Sequence, residues 1–491
     1  MSASWGFGED FPPQAVAIVG VSRNESMHHP GYTGARIFRM LTDSGFQGRL
    51  YPVNPKASEI NGAKAYPSVT SIPEPLDLVT ITVPASSVVQ VLEDCVSAGA
   101  RNVQICTSGF GETGDVEGKM MESRIREIAL KERIRVIGPN CMGFHVPSIR
   151  MKMFEEVQLV QGPVAFITQS GGHGREYLLQ GPKYGLGFSK VISYGNALVM
   201  DATDFLEYLS TDPETQVICL YLEGIKDGRK LTEMVRQVNP VKPVVVWKAG
   251  LTESGARAAA SHTGSLAGDK HIWEAFFEQT GAIRVGSIEE MAEVAMSIVR
   301  LKPLPRARVA VLASGGGNSV ATGDVVAEEG LEMPALSLQT RASLTEYISL
   351  VNQGVINPLD VPGVLASVPL LRRTLGVLAE DPTIDLVILR LSPEFLAGAI
   401  GAVSEFADCV LGFARENAGG KQIVVAMAEE GMVGGAEKYA DDLREAGITV
   451  YGSLRRACRA LNRFSRYHRF LSESGAGELS APAPRPDSGP R

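Results

Sequence analysis

Cysteine is scarce and scattered in this chain. Six cysteines occur among 491 residues, at 95, 106, 141, 219, 409 and 458, and no two stand in C-x-x-C spacing. That excludes the paired spacing of a zinc site and argues against a disulfide framework, so reduced thiols in a cytoplasmic protein are the expectation. No metal-ligand spacing is present either. No apolar run approaches the ~18 residues of a membrane span, and the N-terminus lacks the basic-then-apolar pattern of a secretory signal. An excess of cationic charge is missing too: 47 Lys and Arg face 55 Asp and Glu, for a net charge of -8. This argues against a general nucleic-acid binder, while leaving room for a local basic pocket. Two nucleotide motifs are absent. No G-x-G-x-x-G follows the first apolar run, which disfavours NAD. No loop ends in the Lys-Ser/Thr of a Walker A motif, which disfavours ATP bound in the P-loop way.

What is present is ordinary globular composition, 44% hydrophobic and 21% charged, and enough chain for about three domains at ~150 residues each. Short β-branched runs alternate with longer helix-like stretches. Ala15-Val16-Ala17-Ile18-Val19, Leu78–Val83, Val103–Cys106 and Arg135–Ile137 each end in a turn bearing glycine or proline. Strand, turn, helix, strand at this rhythm predicts a parallel sheet covered by helices on both faces. The pattern restarts at Val164–Thr168 and again at Val309–Leu312, after the proline-rich stretch 302–305. The expectation is therefore an α/β chain of three consecutive parallel-sheet units, over 10–148, 160–300 and 306–470, with a disordered tail over 472–491.

Chemistry-bearing residues gather at predicted strand ends. In the first unit Gly20, Ser22 and Arg23 follow the first strand. Asn54 and Lys56, then Val83, Pro84 and Ser86, then Asn140 and Cys141 lie in loops that would converge on the same carboxyl edge. Backbone amides at a helix N-terminus can hold phosphate there. Lys56 reads either as a phosphate counter-charge or as a solvated lysine, and Cys141 either as a reactive thiol or as a buried inert one. In the second unit Thr168-Gln169-Ser170-Gly171-Gly172-His173 follows a strand with the composition of a phosphate loop. Ser170, Gly171 and Gly172 are its candidate anion holders. Glu223 ends another apolar strand, either to orient an imidazole or as a surface glutamate. His262 sits among small residues in Ala258–Gly268. That setting suits a histidine that carries a large group, and equally a loop histidine beside an N-cap. In the third unit Gly315-Gly316-Gly317 and Asn357-Pro358-Leu359-Asp360 look like strand-end loops serving either tight packing or anion contact.

These motifs, in order along about residues 12–470, resemble the alpha subunits of the nucleoside-diphosphate-forming acyl-CoA synthetases, the group of acetate–CoA ligase (ADP-forming) and, more distantly, succinyl-CoA synthetase. The resemblance implies a Rossmann-like CoA-binding domain followed by two flavodoxin-like domains. It implies coenzyme A held by the loops of the first unit, and phosphate held by Ser170, Gly171 and Gly172. His262 maps onto the phosphorylated histidine, and Glu223 onto the carboxylate that steadies it. A carboxylic acid or acyl-CoA would be the substrate, and a separate ATP-grasp beta subunit would bind ATP or ADP with Mg2+, in an alpha2beta2 hetero-oligomer with neither membrane nor nucleic-acid partners. One departure stands out. The family usually has Ser-Gln-Ser-Gly-Ala where this chain has Thr168-Gln169-Ser170-Gly171-Gly172, followed by His173 and Arg175. Their positive charge points to an acidic or polar acyl group. Alternative readings are a CoA-dependent acyl transferase or lyase on this scaffold, and a CoA-binding regulatory protein without turnover.

Overall fold

The computed structural model describes residues 5–22, 32–257, 268–351, 353–392, 403–417, 420–428 and 436–475. They form two compact units, Met1–Pro182 with Leu186–Met291, and Lys183–Gly185 with Ala292–Arg491.

The first unit holds two large sheets and a two-stranded hairpin. The first of them contains β1 (Ala15–Val19), β2 (Arg49–Val53), β5 (Leu78–Ile81), β6 (Asn102–Ile105) and β7 (Arg135–Ile137), while β3 (Glu59–Ile60) and β4 (Ala63–Lys64) pair as a small hairpin. The order is β2-β1-β5-β6-β7, parallel throughout. Every residue of β1 and of β5 is buried, as a strand covered on both faces requires. The chain leaves β1 to build β2 on one side and returns to build β5 on the other. The carboxyl ends of β1 and β5 therefore border the crevice where such sheets bind ligands.

The second sheet contains β8 (Gly143–His145), β9 (Gln161–Thr168), β10 (Phe188–Ser193), β11 (Val217–Leu222), β12 (Val244–Lys248) and β13 (Ile283–Val285). Its order is β13-β12-β11-β9-β10-β8, with β8 antiparallel to β10 and the rest parallel. The chain order reverses between β9 and β11, so this crevice lies at Thr168 and Leu222. The two sheets share one apolar core. Val16, Ile18 and Phe38 pack in the same cluster as Phe144, Ile167, Ile192 and Phe205. At roughly 1.5–3 kcal/mol per buried large side chain, that shared cluster accounts for two sheets behaving as one body.

The second unit contains β14 (Val309–Ala313), β15 (Leu359–Asp360), β16 (Leu386–Leu391), β17 (Gln422–Met427) and β18 (Val450–Tyr451) in the order β15-β14-β16-β17-β18, all parallel. Its core, with Leu312, Leu375, Leu389, Phe406 and Val425, is separate from the first. The chain is thus α/β with three successive parallel-stranded sheets. Among the described residues no helix is long and apolar enough to cross a membrane.

Candidate active site

The first crevice is assembled by backbone. Gly20 turns the chain out of β1 at φ +99°, and an added Cβ would lie 2.8 Å from Thr82 Oγ1, so only glycine fits. The Gly20 amide donates to the Val53 carbonyl at 3.1 Å. Asn54 Nδ2 donates to the Val21 carbonyl at 2.6 Å, and Asn54 Oδ1 accepts from the Lys56 amide at 2.8 Å. Lys56 itself is exposed, as is Ser22. Across the crevice, the Val83 carbonyl accepts from Thr107 Oγ1 at 2.7 Å. Pro84 then opens the helix Ala85–Ser97 with no side-chain cap. Pro84 and Ser86 are exposed, so the uncapped start of that helix lies at the surface, where an anion can approach a helix N-terminus, although the Ser87 amide is taken by the Pro84 carbonyl at 2.8 Å. Arg23 lies outside the described residues.

Asn140 and Cys141 belong to the loop that leaves the carboxyl end of β7, at the edge of this sheet, for the second sheet. Asn140 adopts φ +57°. Its amide donates to the Thr107 carbonyl at 3.0 Å, and its side chain reaches Asn196 Oδ1 at 3.4 Å. The Asn196 amide donates back to the Pro139 carbonyl at 3.0 Å. Met142 follows, with its amide on Ser193 Oγ at 3.2 Å and its side chain against the Gly171 Cα, where any Cβ would collide with it. Cys141 is 2% exposed, and burial pushes its thiol well above the usual value. It is therefore an inert thiol of the loop's core and not a reactive one.

The second crevice carries the phosphate loop. Ser170 caps the helix Gly171–Gln180, accepting from the His173 amide at 3.2 Å, and Thr168 Oγ1 accepts from the Ser170 amide at 3.0 Å. The amides of Gly171 and Gly172 open the helix with no intrahelical acceptor, at the positive end of its dipole. Beside it Gln169 Oε1 accepts from two amides of the neighbouring strand end, Glu223 at 2.5 Å and Gly224 at 3.0 Å. Glu223 is 7% exposed, and its Oε1 accepts from the Tyr221 hydroxyl at 3.4 Å. The surface-glutamate alternative is thereby removed. His262, with the whole stretch 258–267, lies outside the described residues.

His173 and Arg175 are engaged within the fold. The His173 ring packs 4.5 Å from Tyr221 and 4.7 Å from Trp247, centroid to centroid, with Nδ1 3.1 Å from Glu176. Arg175 pairs with Glu156. Sequence reasoning missed Gln169 and Lys248 as parts of this arrangement. Nothing local marks Gln169 as an acceptor for amides 54 residues away, and Lys248 looks like any strand-end lysine.

Comparison with known proteins agrees with this geometry. Residues 14–147 match the CoA binding domain family, and residues 161–298 match the succinyl-CoA ligase like flavodoxin domain family. Acetate–CoA ligase (ADP-forming) II subunit alpha of Pyrococcus furiosus is 38% identical over 443 residues, covering 90% of this chain and 93% of that one. The chain belongs to the ADP-forming acyl-CoA synthetases, as an alpha subunit. Acetate–CoA ligase (ADP-forming) I of Archaeoglobus fulgidus is 35% identical over 473 residues, which cover 95% of this synthetase subunit but only 64% of that longer protein. Among solved structures, the Candidatus Korarchaeum cryptofilum dinucleotide-forming acetyl-coenzyme A synthetase 1, in complex with phosphate and ADP, superimposes with a TM-score of 0.81 at 30% identity over 96% of this chain and 98% of that one. The subunit thus carries a CoA-binding domain and belongs to acid–CoA ligases that work with a nucleoside diphosphate.

Proposed function

We propose that this subunit interconverts a carboxylic acid, CoA and ATP with acyl-CoA, ADP and phosphate, by way of an acyl phosphate and a phosphohistidine at His262. Phosphate displaces CoA from acyl-CoA to give acyl phosphate. His262 takes the phosphoryl group and releases the carboxylate. The phosphohistidine then gives the group to ADP. Every step is reversible.

The observation that carries this reading is the loop Gly138–Met142. It begins at the carboxyl end of β7, on the same sheet edge as the loops assigned to CoA through Gly20, Ser22, Arg23, Asn54, Lys56, Val83, Pro84, Ser86, Asn140 and Cys141, and ends against Gly171 at the head of the phosphate helix. A thioester held at the first crevice is then next to a phosphate held by Ser170, Gly171 and Gly172, which is the juxtaposition that acyl phosphate formation needs. Helix amides supply fixed dipoles for the transferring group. Glu223, fixed by Gln169, accepts from one imidazole nitrogen and leaves the other nucleophilic. In this reading CoA binds over 10–148, the phosphohistidine belongs to 160–300, and 306–470 is a third, flavodoxin-like domain.

ATP or ADP with Mg2+ is assigned to a separate ATP-grasp beta subunit, in a cytoplasmic alpha2beta2 assembly. The longer Archaeoglobus relative supports this, because about a third of its length lies outside the match; the Pyrococcus relative is itself named as a subunit. The test is incubation of the chain and a candidate beta subunit with γ-labelled ATP. The expected product is protein-bound phosphate that is labile in acid and stable in base. A label absent from the wild type, or surviving in His262→Ala, overturns the proposal.

A further inference from the structure

Lys248 closes β12 with its side chain turned inward, 5% exposed. Its Nζ donates to the Glu223 carbonyl at 2.9 Å and to the Ala249 carbonyl, and lies 5.2 Å from the centroid of the Trp273 ring. Among the described residues no carboxylate forms an ion pair with it. An ammonium buried on two backbone carbonyls and an indole is costly to keep charged. Burial pushes its pKa down to about 8, against the pull of Glu223. A neutral donor would satisfy the same carbonyls, so the charge itself needs an explanation.

Three connections meet at this one side chain. Glu223 is held on its amide side by Gln169, and on its carbonyl side by Lys248. Ala249 begins the chain that runs towards residue 258. Trp273 lies in the first turn of the helix Lys270–Thr280, just after residue 268, and Gly268 approaches its indole so closely that a Cβ would lie 3.1 Å from Nε1. Lys248 therefore ties Glu223 to both flanks of the stretch that contains His262.

We propose that Lys248 is a positioning residue for phosphoryl transfer, whose charge holds Glu223 and the two flanks of the histidine stretch in one arrangement. The proposal rests on the phosphohistidine reading above.

The test uses the full chain with its beta subunit and labelled ATP, comparing wild type with Lys248→Met and Lys248→Arg. Three quantities are read: the rate of phosphoenzyme formation, the Kd for CoA, and the melting temperature. In Lys248→Met, phosphoenzyme formation is expected to slow about 100-fold, with the CoA Kd and the melting temperature close to wild type, and Lys248→Arg is expected to restore at least about a tenth of the rate. If Lys248→Met melts early, Lys248→Gln takes its place in the same comparison. A Met variant phosphorylated at the wild-type rate overturns the proposal. So does a joint fall of rate, CoA affinity and melting temperature with no rescue by Arg, which would make Lys248 a part of the scaffold only. Loss of label in the wild type, or its persistence in His262→Ala, would instead sink the phosphohistidine reading.

Discussion

The sheets built on β1 and on β14 have the same strand order and differ where their edge strands reach the crevice. In each, the edge strand beside the first runs to the crevice: β2 ends at Val53, which pairs with Val19 and is followed by Asn54, and β15 ends at Asp360, which pairs with Ala313. Asn54 is neutral and donates its side-chain amide to the Val21 carbonyl at 2.6 Å. Asp360 is a carboxylate, and accepts from the Gly315 amide at 2.7 Å, at the head of the helix Gly316–Glu328. In the first sheet the helix Gly34–Asp43 is capped by Thr33, whose side chain accepts from the Arg36 amide, while the helix Ala85–Ser97 has no side-chain cap; in the third a carboxylate of the chain itself takes the amide of the residue that precedes the helix. Within the glycine run 315–317, the Gly315 amide thus has an internal partner. The topology supplies both crevices, and the residue at the strand end sets the charge that an incoming ligand meets there.

The contrast breaks most severely where the chemistry-bearing part of the first unit is most tightly tied. Gln169→Ala removes the acceptor of two amides, Glu223 and Gly224. Leaving them unsatisfied should cost about 3 kcal/mol, read as a fall in the melting of the first unit, with phosphoenzyme formation lost alongside. Unchanged melting would mean that water replaces Gln169 freely, and that the crevice is not pre-formed.

A smaller change imports the third sheet's device into the first. Ser86→Asp places a carboxylate in the exposed first turn of the helix Ala85–Ser97. The helix itself should tolerate or welcome it. CoA, with its phosphates, should bind about 30-fold more weakly, because like charges are set against each other. Calorimetric titration with CoA measures this. Affinity equal to wild type would remove Ser86 from the CoA site.

How much of this was open to the sequence depends on the range of the interaction. Strands such as Ala15–Val19 and Val217–Leu222 are legible, because burial on both faces demands unbroken apolar runs. Gly20, Pro84 and Ser170 are legible as strand-end and helix-start residues, since their chemistry is local. Gln169, Lys248 and Met142 act only through contacts with distant parts of the chain, and nothing in their neighbours announces them. The sharing of one core by the first two sheets is equally hidden: Phe38 and Phe205 each look like members of a private core, and only the fold puts them in one cluster. Arg175 shows the same limit: its charge is plain in the sequence, and its ion pair with Glu156 is not.

The two units can also be separated by acid. His145, on β8, is fully buried, and neither ring nitrogen has a hydrogen-bond partner among the described residues. Burial pushes its pKa down to about 3, with Lys152 adding to the effect. In the second unit, burial pushes His468 only to about 4. The unfolded chain protonates such a histidine below about 6.5, and the folded chain does not until far lower. The stability each contributes is therefore whole above about pH 6.5, and is lost as the pH falls towards the folded value, at about 1.4 kcal/mol per pH unit where only the unfolded form binds the proton. His145→Leu should flatten the fall in melting temperature of the first unit between pH 6.5 and 5, and leave that of the second unit as it was. An identical slope in the variant would show that carboxylates, and not this imidazole, set the acid limit.

The smallest effect tests the contrast from the other side. Asp360→Asn keeps an oxygen for the Gly315 amide but removes the charge beside the helix start. A charge at that position contributes about 0.3–1 kcal/mol through the helix dipole, so the second unit should melt a little earlier, by no more than about 1 kcal/mol. CoA affinity and phosphoenzyme formation should not change, because in the proposed mechanism the β14 crevice holds neither ligand. Nor should the neutral crevice acquire CoA binding, since it lacks the loop that carries Asn140 and Met142 from one sheet to the next. A several-fold change in either activity would mean that Asp360 acts on the reaction and does not merely occupy an anion's place. The two sheets would then differ in task while both taking part in the chemistry, and the strand-end charge would have to be explained by what the β14 crevice binds.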